Sequence, residues 1–464
     1  MAPFKPLKIL DRCKVAPPPG FVSPAFTDLP LTFFDMHWLP LPPLEFLFFY
    51  DFPCPISEFT LSILPRLKNS LSSTLLHFYP FSGNLSWPHE PNQPMIRFTE
   101  GDSVSFTVAE FNADFYHLSS NNPKDATESH PLLPQLPVSG PIIPLLAIQV
   151  TVFPNSGFCI GVTYQHSICD GRAFTHFMKT WASISKFEAG SLSSESLPFL
   201  DRTVIQENFG ITKRYLEAVD RFMGSESVSG NRRLRMMDIE LKPNMIRATF
   251  ELNKSNCRRL KDWISAQYKK DDGIPPSRFV AICAYTWICL LKAEAKVGDL
   301  KTNNTTIFVL NVDCRSRLNP PIPETYFGNC IRPCVAMAEK SDLIKGGAAV
   351  AAQLIGNAMY ETNKEILRGL GNRNISGLLG LQSGRGLAAA GSPQLGMYKT
   401  DFGFGRLKKL ELSSIDRTGA MFLKESPDVD GGVEFDLVLS RQEMDAFVSV
   451  FYDELNALTC RSLL

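Results

Sequence analysis

The feature that most constrains the fold of this sequence is a pair of β-prone apolar runs, IIPLLAIQVTVF and GFCIGVTYQ, joined by PNSG at residues 154–157. Turn-forming residues between two such runs predict a β-hairpin. Beyond Gly171 a helix is predicted, because apolar side chains recur at helical spacing, at Phe174, Phe177, Met178, Trp181 and Ile184. His166 therefore lies where a strand gives way to a loop and then a helix. Side chains at such strand ends often carry function in α/β proteins.

Strands and helices alternate in both halves of the chain, which predicts the α/β class. IRATFELNKSNCRRLKDWISAQ predicts a strand followed by a helix, and TTIFVLNVDCRSRL predicts a strand that runs into a charged loop. A more polar stretch containing EAGSLSSES and GSESVSGNRR separates the halves. A length of 464 residues favours two large domains. We expect an N-terminal domain over residues 1–190, a crossover linker over 191–235 and a C-terminal domain over 236–464.

Charge and cysteine usage argue against several classes of protein. Lysine plus arginine equals aspartate plus glutamate, at 47 each, which argues against nucleic acid or an anionic membrane as partner. The eleven cysteines lack the spacing of a zinc site or a disulfide framework, and free thiols fit a reducing compartment. The N-terminal residues do not resemble a signal peptide, and the longest apolar run, about twelve residues, is too short to span a bilayer. We expect a monomeric cytoplasmic protein that binds small molecules and no metal.

His166 has several chemical interpretations. A zinc site would need further ligands in a pattern such as H-E-x-x-H, and a serine hydrolase would need G-x-S-x-G; the sequence contains neither. Cys169 lies close to His166, so a cysteine–histidine nucleophile is conceivable. Nothing in the loop marks Cys169 as a thiol with a lowered pKa, and we interpret it as buried.

A second feature is DFGFG at residues 401–405. The tripeptide DFG occurs in protein kinases, but the glycine-rich loop, the V-A-I-K strand and the H-R-D loop of a kinase are absent from this sequence. It contains no P-loop or dinucleotide fingerprint either. We interpret DFGFG as a glycine-supported loop at a strand end, with Asp401 in a salt bridge.

His166-x-x-x-Asp170-Gly171, followed much later by DFGFG, resembles the plant BAHD acyltransferases. The resemblance covers nearly the whole chain, since LPLTFFDMHWLPLPP and HFYPFSGNL resemble the N-terminal segments of that family. DCRSRLNPPIPETYFGNC, AGSPQLGMYKTDFGFG and SIDRTGAMFLKESPDVDGGVEFDLVL resemble the branch that acts on anthocyanins and other phenolic glucosides. Phe404 departs from the pattern, because many members have tryptophan there, but it keeps an aromatic ring.

The resemblance implies two chloramphenicol-acetyltransferase-like α/β domains with mixed sheets and a channel between them. It also implies transfer of an acyl group from a coenzyme A thioester to a hydroxyl or amine, with no permanently bound cofactor, metal or covalent intermediate. The chemistry suits one histidine: a sugar hydroxyl is barely ionised at neutral pH, and an imidazole with a pKa near ambient pH can accept its proton, worth about 10²- to 10⁴-fold in rate. We assign His166 as the general base.

The other motif residues receive structural roles. In the resembling family the aspartate of the first motif points away from the histidine and pairs with an arginine. Arg315 is the first candidate for that partner here, and Arg317 the second. The pair would hold the loop that aims His166, with help from Gly171, Gly403 and Gly405. We keep Asp401 among the catalytic-site residues, while expecting it to hold the fold.

The substrate-binding residues are assigned by type. We expect the acyl-CoA site in the C-terminal half, where Ser277 and Arg278 at a helix start could meet phosphate; a plain helix cap is the alternative. Arg172 would meet the second carboxylate of a malonyl donor. The channel and acceptor residues would be Trp38, Phe34, Ser392, Phe402 and Phe404, with a core position as the alternative for Trp38.

The sequence thus predicts an acyl-CoA-dependent O-acyltransferase acting on a phenolic or flavonoid glucoside, with malonyl-CoA as the favoured donor. The first alternative uses hydroxycinnamoyl-CoA or another acyl-CoA on an anthocyanin or related plant metabolite, with Phe34, Phe402 and Phe404 forming an aromatic slot. The second alternative is an inactive paralogue that binds phenolics. The intact His166, Asp170 and Asp401 argue against inactivity.

Overall fold

The structure is a computed structural model that describes residues 7–20, 27–187, 196–206, 210–224, 226–228, 230–268, 275–298, 304–370 and 386–461. In chain order its strands are β1 (Lys8–Val15), β2 (Asp28–Pro30), β3 (Leu44–Asp51), β4 (Asn84–Ser86), β5 (Met95–Arg97), β6 (Val104–Glu110), β7 (Lys124–Asp125), β8 (Ser139–Gly140), β9 (Ile142–Pro144), β10 (Leu146–Phe153), β11 (Gly157–Tyr164), β12 (Ser227–Val228), β13 (Asn231–Arg232), β14 (Leu234–Arg235), β15 (Met245–Leu252), β16 (Thr305–Asp313), β17 (Ile331–Glu339), β18 (Gly386–Ala390), β19 (Arg406–Leu412), β20 (Met421–Glu425) and β21 (Val433–Ser440).

The α-helices are α1 (Phe33–Met36), α2 (Ile56–Glu58), α3 (Leu64–His77), α4 (Phe115–Leu118), α5 (Gly171–Phe187), α6 (Ile211–Met223), α7 (Lys254–Ser265), α8 (Arg278–Val297), α9 (Lys340–Lys364), α10 (Ile415–Thr418) and α11 (Arg441–Arg461). A π-helical turn over Phe59–Ile63 leads into α3. None of the described helices is both long enough and apolar enough to cross a membrane.

The first large sheet has the strand order β1-β6-β10-β11-β3-β19. Its centre is the predicted hairpin, which is confirmed: β10 and β11 pair antiparallel, with Phe153 opposite Gly157, and Asn155 adopts a positive φ in the turn. All residues of β10 and β11 are buried. Continuous apolar runs such as these are typical of strands covered on both faces. The hairpin thus ends inside the molecule, next to the loop of His166.

The second large sheet has the order β17-β16-β18-β20-β21-β15-β7 and is mixed, because β18 is parallel to both β16 and β20. Helix α8 packs beside it and against α7, α9 and α11. Its residues from Val280 to Leu291 are all buried, so the longest apolar run of the sequence forms a core helix. Mixed sheets flanked by helices confirm the α/β class.

Two strands join the sheet of the other half of the chain. Strand β19, from the C-terminal half, pairs with β3 at the edge of the first sheet. Strand β7, from the N-terminal half, pairs with β15 in the second. Each half of the chain therefore contributes a strand to the sheet of the other half. A division of the chain by sequence position alone does not capture this exchange. The division at 190/191 and 235/236 stays a prediction, and its first boundary lies outside the described residues.

Candidate active site

The loop between β11 and α5 holds both polar residues of the first motif. It begins with a backbone hydrogen bond from Gln165 to Leu145 and turns through one from Ile168 to Gln165. The Asp170 carboxylate then accepts the backbone N–H groups of Arg172 and Ala173, at 3.1 Å each. An aspartate at this position is a preferred N-cap because it satisfies orphan donors of the first helical turn. The loop is therefore held at the helix end by its own sequence.

The imidazole of His166 is enclosed, with only 9% of the residue exposed. The Trp38 ring stacks on it, with ring centroids 4.0 Å apart and an interplanar angle of 12°. Burial lowers the pKa of His166 from 6.5 to about 4, although the charge of Asp170 acts in the opposite direction. Sequence analysis expects a pKa near ambient pH, whereas this environment keeps the ring neutral well below pH 7. Its Nδ1 is buried without a hydrogen-bond partner among the described residues.

Asp170 is engaged away from the imidazole. Its two carboxylate oxygens pair with the Arg315 guanidinium at 2.9 and 3.1 Å, and its Oδ2 also accepts the backbone N–H of Cys330 at 2.9 Å. Both charged side chains are almost fully buried. Arg317, the second candidate partner, instead donates to the Asp313 backbone carbonyl. A carboxylate with these partners has no geometry for orienting the histidine as in a catalytic triad.

Arg315 also connects the loop of Asp170 to the segment 326–330. Its Nη2 donates to the backbone carbonyls of Tyr326 and Gly328, at 3.1 and 3.3 Å. A Cβ at Gly328 would come within 2.7 Å of the buried Tyr326 ring, so any larger residue there would have to displace that ring. The bidentate pair therefore connects α5, the residues 313–317 and the segment 326–330.

Arg172, the proposed partner of a malonyl carboxylate, already contacts two carboxylates. Its Nε lies 2.9 Å from Asp313 Oδ2 and its Nη1 lies 3.3 Å from Glu324 Oε2. The side chain of Glu324 is 84% exposed, while that of Arg172 is 38% exposed. Arg172 thus lies at the start of α5, two residues after Asp170. One of its two partners, Glu324, is exposed at the surface.

The DFGFG loop lies at the other end of α5. Asp401 Oδ2 pairs with Lys186 Nζ at 2.5 Å, in the last turn of α5, and its Oδ1 accepts the Gly403 N–H at 2.8 Å. Partial burial acts to raise the pKa of Asp401, but the bond from Lys186 lowers it below the usual value. From residue 170 to residue 186 a helix rises about 24 Å. The carboxylate of Asp401 is therefore remote from the imidazole, as the structural interpretation of DFGFG expects.

Backbone conformation explains why two positions of the DFGFG loop are glycine. Gly403 and Gly405 have φ values of +82° and +69°, which favour glycine. A Cβ on Gly405 would also lie 2.2 Å from the Asp51 carbonyl oxygen. Gly171 differs, because its added Cβ would make only an ordinary contact at 3.4 Å, with Leu395.

Of the aromatic residues assigned to the channel, one contacts His166 and three pack elsewhere. Trp38 is brought against His166, and its Nε1 is buried without a hydrogen-bond partner among the described residues. Phe34 packs beside Phe33 and is buried. Phe402 is fully buried, edge-on to the Trp181 ring at 4.8 Å, and Phe404 lies under the Arg66 guanidinium. Among the described residues, Trp38 is the aromatic ring that contacts His166, and these three rings pack elsewhere.

Ser277, Arg278 and Ser392 lie in positions set by local capping. Ser277 is the N-cap of α8 and accepts the Val280 N–H at 3.2 Å, and both Ser277 and Arg278 are exposed. Ser392 caps the 3₁₀ turn Pro393–Leu395 through the Gln394 N–H. The helix-cap alternative accounts for the observed contact of Ser277, and the acyl-CoA assignment of these residues stays a prediction.

Sequence reasoning missed a second group of residues behind the loop. Asn329 donates from Nδ2 to the His166 carbonyl at 2.9 Å, and Arg202 donates from Nη2 to the Ile168 carbonyl at 3.3 Å. Both also bind Asp35, a fully buried carboxylate of α1. The T-x-x-D spacing of Thr32 and Asp35 predicts a capping box, which is present. Nothing in the local pattern indicates the contacts of Asp35 with residues far along the chain.

The described residues contain no group of three or more histidine, cysteine, aspartate or glutamate side chains that could hold a metal. The described cysteines are all free, and burial raises the pKa of Cys169 well above its usual value. A thiol in that state is a poor nucleophile. The cysteine–histidine alternative therefore finds no support.

Comparison with known proteins identifies relatives over nearly the full length. The family model described as the Transferase family matches residues 22–454. Coumaroyl-CoA:anthocyanidin 3-O-glucoside-6''-O-coumaroyltransferase 1 of Arabidopsis thaliana is 36% identical, covering 97% of this chain and 98% of its own. Phenolic glucoside malonyltransferase 1 of Arabidopsis thaliana is 34% identical, covering 96% and 97%.

Among solved structures, the crystal structure of vinorine synthase superimposes with a TM-score of 0.67 at 21% sequence identity. The match covers 95% of this chain and 96% of that one. At this identity the likeness concerns the fold. It confirms the expected acyltransferase architecture with mixed sheets.

Proposed function

Because this chain belongs to the Transferase family, the BAHD acyltransferases, we propose that it transfers an acyl group from coenzyme A to a hydroxyl of a phenolic or flavonoid glucoside, with His166 as general base. The protein is an acyltransferase that uses an acyl-CoA co-substrate. The observation that carries the assignment of His166 is its neutral, buried imidazole on the strand-to-helix loop, with Asp170 engaged elsewhere.

The mechanism needs one proton acceptor and one donor. The thioester carbonyl is already electrophilic, so the difficult part is to make the hydroxyl a nucleophile. The His166 ring removes the hydroxyl proton as the oxygen attacks the carbonyl carbon. When the tetrahedral intermediate collapses, the C–S bond breaks and the imidazolium returns the proton to the departing thiolate. The ring ends in the neutral state in which it began.

Burial supports this cycle from two sides. A ring with a pKa of about 4 is unprotonated at neutral pH, so the base is in its active form, although the lower pKa also makes it a weaker proton acceptor. The Trp38 face covering the ring excludes water from one side, and a dry site strengthens the electrostatic contacts of the reaction. We propose that Trp38 lines the acceptor side of the site, as its sequence assignment expects.

Malonyl-CoA remains our favoured donor. The malonyl group brings a carboxylate that requires a cation, and Arg172 is the nearest arginine to the motif in sequence. Its bond to Glu324 is a surface contact, worth about 1 kcal/mol or less. A donor carboxylate can replace Glu324 at little cost while Asp313 keeps the guanidinium oriented.

Hydroxycinnamoyl-CoA is the second candidate donor, and the coumaroyltransferase relative is the observation that favours it. The slot that we assigned to Phe34, Phe402 and Phe404 would have to form from side chains that are 2%, 0% and 8% exposed. Opening such packed rings is costly. This burial removes the support that these three rings gave to the aromatic donor.

The test is an assay of the purified protein with a panel of acyl-CoAs and pooled plant phenolic glucosides, with products identified by mass. A product gain equal to malonyl, with none for coumaroyl, is expected; the reverse result would select the alternative. His166→Ala should abolish turnover, and full turnover by that variant would overturn the mechanism. Arg172→Gln should reduce malonyl transfer, while Arg172→Lys separates the need for charge from the need for a planar fork.

We also propose a monomer in the cytoplasm that binds no membrane or nucleic acid. The free state of every described cysteine supports a reducing compartment. The balance of 47 basic and 47 acidic residues supports the absence of a polyanionic partner. Light scattering of the purified protein at two concentrations tests the monomer.

A further inference from the structure

Asp35 is a second buried carboxylate beside the motif loop, and it is as inaccessible as Asp170. Its Oδ1 accepts the backbone N–H of Asn329 at 2.9 Å and the side-chain N–H of the same residue at 3.0 Å. Its Oδ2 forms an ion pair with Arg202. An ionised acceptor makes such hydrogen bonds stronger than neutral ones. We call Asp35, Arg202 and Asn329 the Asp35 cluster.

The two partners of Asp35 bind the motif loop through its backbone. Asn329 Nδ2 donates to the carbonyl of His166 itself, at 2.9 Å. Arg202 Nη2 donates to the carbonyl of Ile168, at 3.3 Å. Two peptide planes of the loop are thereby fixed by side chains that share one carboxylate. The first of these planes is the one next to the Cα of His166, which carries the imidazole.

The segment 326–330 connects Asp35 with the motif aspartate. The backbone N–H of Asn329 donates to Asp35, and the next N–H, of Cys330, donates to Asp170. Consecutive amides are therefore divided between two buried carboxylates. Each carboxylate has its own arginine, Arg202 for Asp35 and Arg315 for Asp170. The loop of His166 is held by two separate anionic anchors.

We propose that Asp35 is a positioning residue for acyl transfer: through Asn329 and Arg202 it fixes the carbonyls of His166 and Ile168 and thereby aims the imidazole. This inference rests on the proposed function of His166. A displacement of about 1 Å at a reacting group can cost about 10²-fold in rate, so the backbone on which the ring sits has to be held. Asp35 contacts no imidazole atom, and its effect passes through its two partners.

Asp35 also binds Thr32, and this residue provides the control. Its Oδ2 accepts the backbone N–H and the hydroxyl of Thr32, at 2.9 and 2.7 Å, as part of the cap of α1. Thr32→Ala removes the hydroxyl and leaves the bonds of Asp35 to Asn329 and Arg202. If Asp35 served only to cap α1, Thr32→Ala and Asp35→Asn would have similar effects on kcat.

The experiment compares Asp35→Asn, Asn329→Ala, the double variant and Thr32→Ala with the wild-type protein. Asn329→Ala should lower kcat about 10- to 100-fold with a change of KM for acyl-CoA below about threefold. Asp35→Asn should lower kcat at least as much. The double variant should be no worse than Asp35→Asn alone, because both act on one path. Thr32→Ala should keep the wild-type kcat.

Two results would overturn the proposal: a wild-type kcat in Asn329→Ala, or a double variant whose loss equals the product of the single losses. Asp35→Asn leaves Arg202 buried without its charge partner, so this variant can fail to fold. In that case Asn329→Ala, which keeps the Asp35–Arg202 pair, decides alone. A lowered melting temperature with unchanged kcat in both single variants would assign Asp35 to stability only.

A readout without turnover separates this proposal from the proposed function. Diethyl pyrocarbonate modifies accessible neutral imidazoles, and a mis-held loop should expose His166. The modification rate of His166, followed by peptide mass, should rise at least about tenfold in Asp35→Asn and Asn329→Ala and stay unchanged in Thr32→Ala. Equal rates in all four proteins would reject positioning. A wild-type protein that acylates no glucoside would reject the proposed function, while the modification rates still decide positioning.

Discussion

At the scale of single residues, burial gives His166 a pH dependence that can be measured. Its pKa is about 4 in the folded protein, against an ordinary value of 6.5, because desolvation penalises the charged ring. We expect kcat/KM to be constant from pH 8 to about pH 5 and to fall by half near pH 4. An acid limb centred near pH 6.5 would contradict this. Trp38→Ala, which uncovers the ring, should move the acid limb to higher pH.

The same shift predicts a stability effect with a definite sign. Between pH 6.5 and about 4 the unfolded chain binds a proton at His166 and the native protein does not. Stability is therefore fully present above pH 6.5 and is lost as the pH falls toward 4, by about 3 kcal/mol at about 1.4 kcal/mol per pKa unit. Denaturant titrations of the wild type and of His166→Gln across this range should converge in acid. Parallel curves would refute the assignment.

Asp170 and Asp401 both stand in motifs, but their surroundings predict different costs. Asp170→Asn leaves Arg315 buried without its charge partner and should cost about 3–5 kcal/mol. Asp401→Asn removes a half-exposed pair with Lys186 while the amide oxygen can still accept the Gly403 N–H, and should cost about 1 kcal/mol or less. Chemical denaturation of the two variants measures the difference. Equal losses would mean that the burial of the Asp170 pair does not matter.

At the scale of elements, α5 separates the two motifs. Asp170 caps its first turn, and Lys186 in its last turn binds Asp401. The DFGFG loop therefore acts on the far end of the helix whose near end carries the loop of His166. The two motifs are thus joined through a single helix, whose two ends they hold.

The last glycine of DFGFG, Gly405, gives a test with a matched control. Gly405 and Gly419 have nearly equal positive φ values, +69° and +67°. A Cβ at Gly419 meets nothing within 4 Å, whereas at Gly405 it would lie 2.2 Å from the Asp51 carbonyl oxygen. Gly419→Ala should cost about 1–2 kcal/mol from conformation alone, and Gly405→Ala about twice that or more. Denaturant midpoints measure both, and equal costs would contradict the close approach.

At the scale of the whole molecule, buried ion pairs join the two large sheets. Lys124 of β7 pairs with Glu411 of β19 at 2.6 Å, and Lys409 of β19 lies 3.9 Å from Asp436 of β21. Lys424 of β20 also pairs with Asp436, at 2.6 Å. Both exchanged strands, β7 and β19, thus carry charges into the same buried region. These pairs specify how the halves dock, since a shifted docking would leave charges buried and unpaired.

Asp436→Asn should therefore destabilise the protein by about 3–5 kcal/mol. Burial acts to raise the pKa of Asp436, but Lys424, Lys409 and Arg247 hold it well below its usual value. A lowered carboxyl pKa contributes stability that is present above about pH 4 and lost as the pH falls below it. The wild type should lose this contribution in acid, and the variant should have none to lose. Asp428→Asn, which breaks the exposed pair with Arg406, is the control, expected within about 1 kcal/mol of wild type.

The sequence by itself determined the features that depend on neighbours along the chain. Apolar runs joined by PNSG predicted the hairpin of β10 and β11, helical spacing predicted α5, and the position of His166 after the strand followed from both. Ser440 and Glu443, three residues apart, form a capping box of the same local kind. Such patterns are readable because side-chain periodicity and capping act over a few residues.

Only the tertiary structure decided which distant residues meet. In the folded chain Asp35 binds Asn329 and Arg202, and Asp401 lies at the far end of α5. Strands β7 and β19 each belong to the sheet of the opposite half. It also lowered the pKa of His166, which depends on the Trp38 ring and the surrounding core. These outcomes depend on packing among segments more than a hundred residues apart. Local periodicity carries no information about such pairings, because they exist only once the whole chain has closed around them.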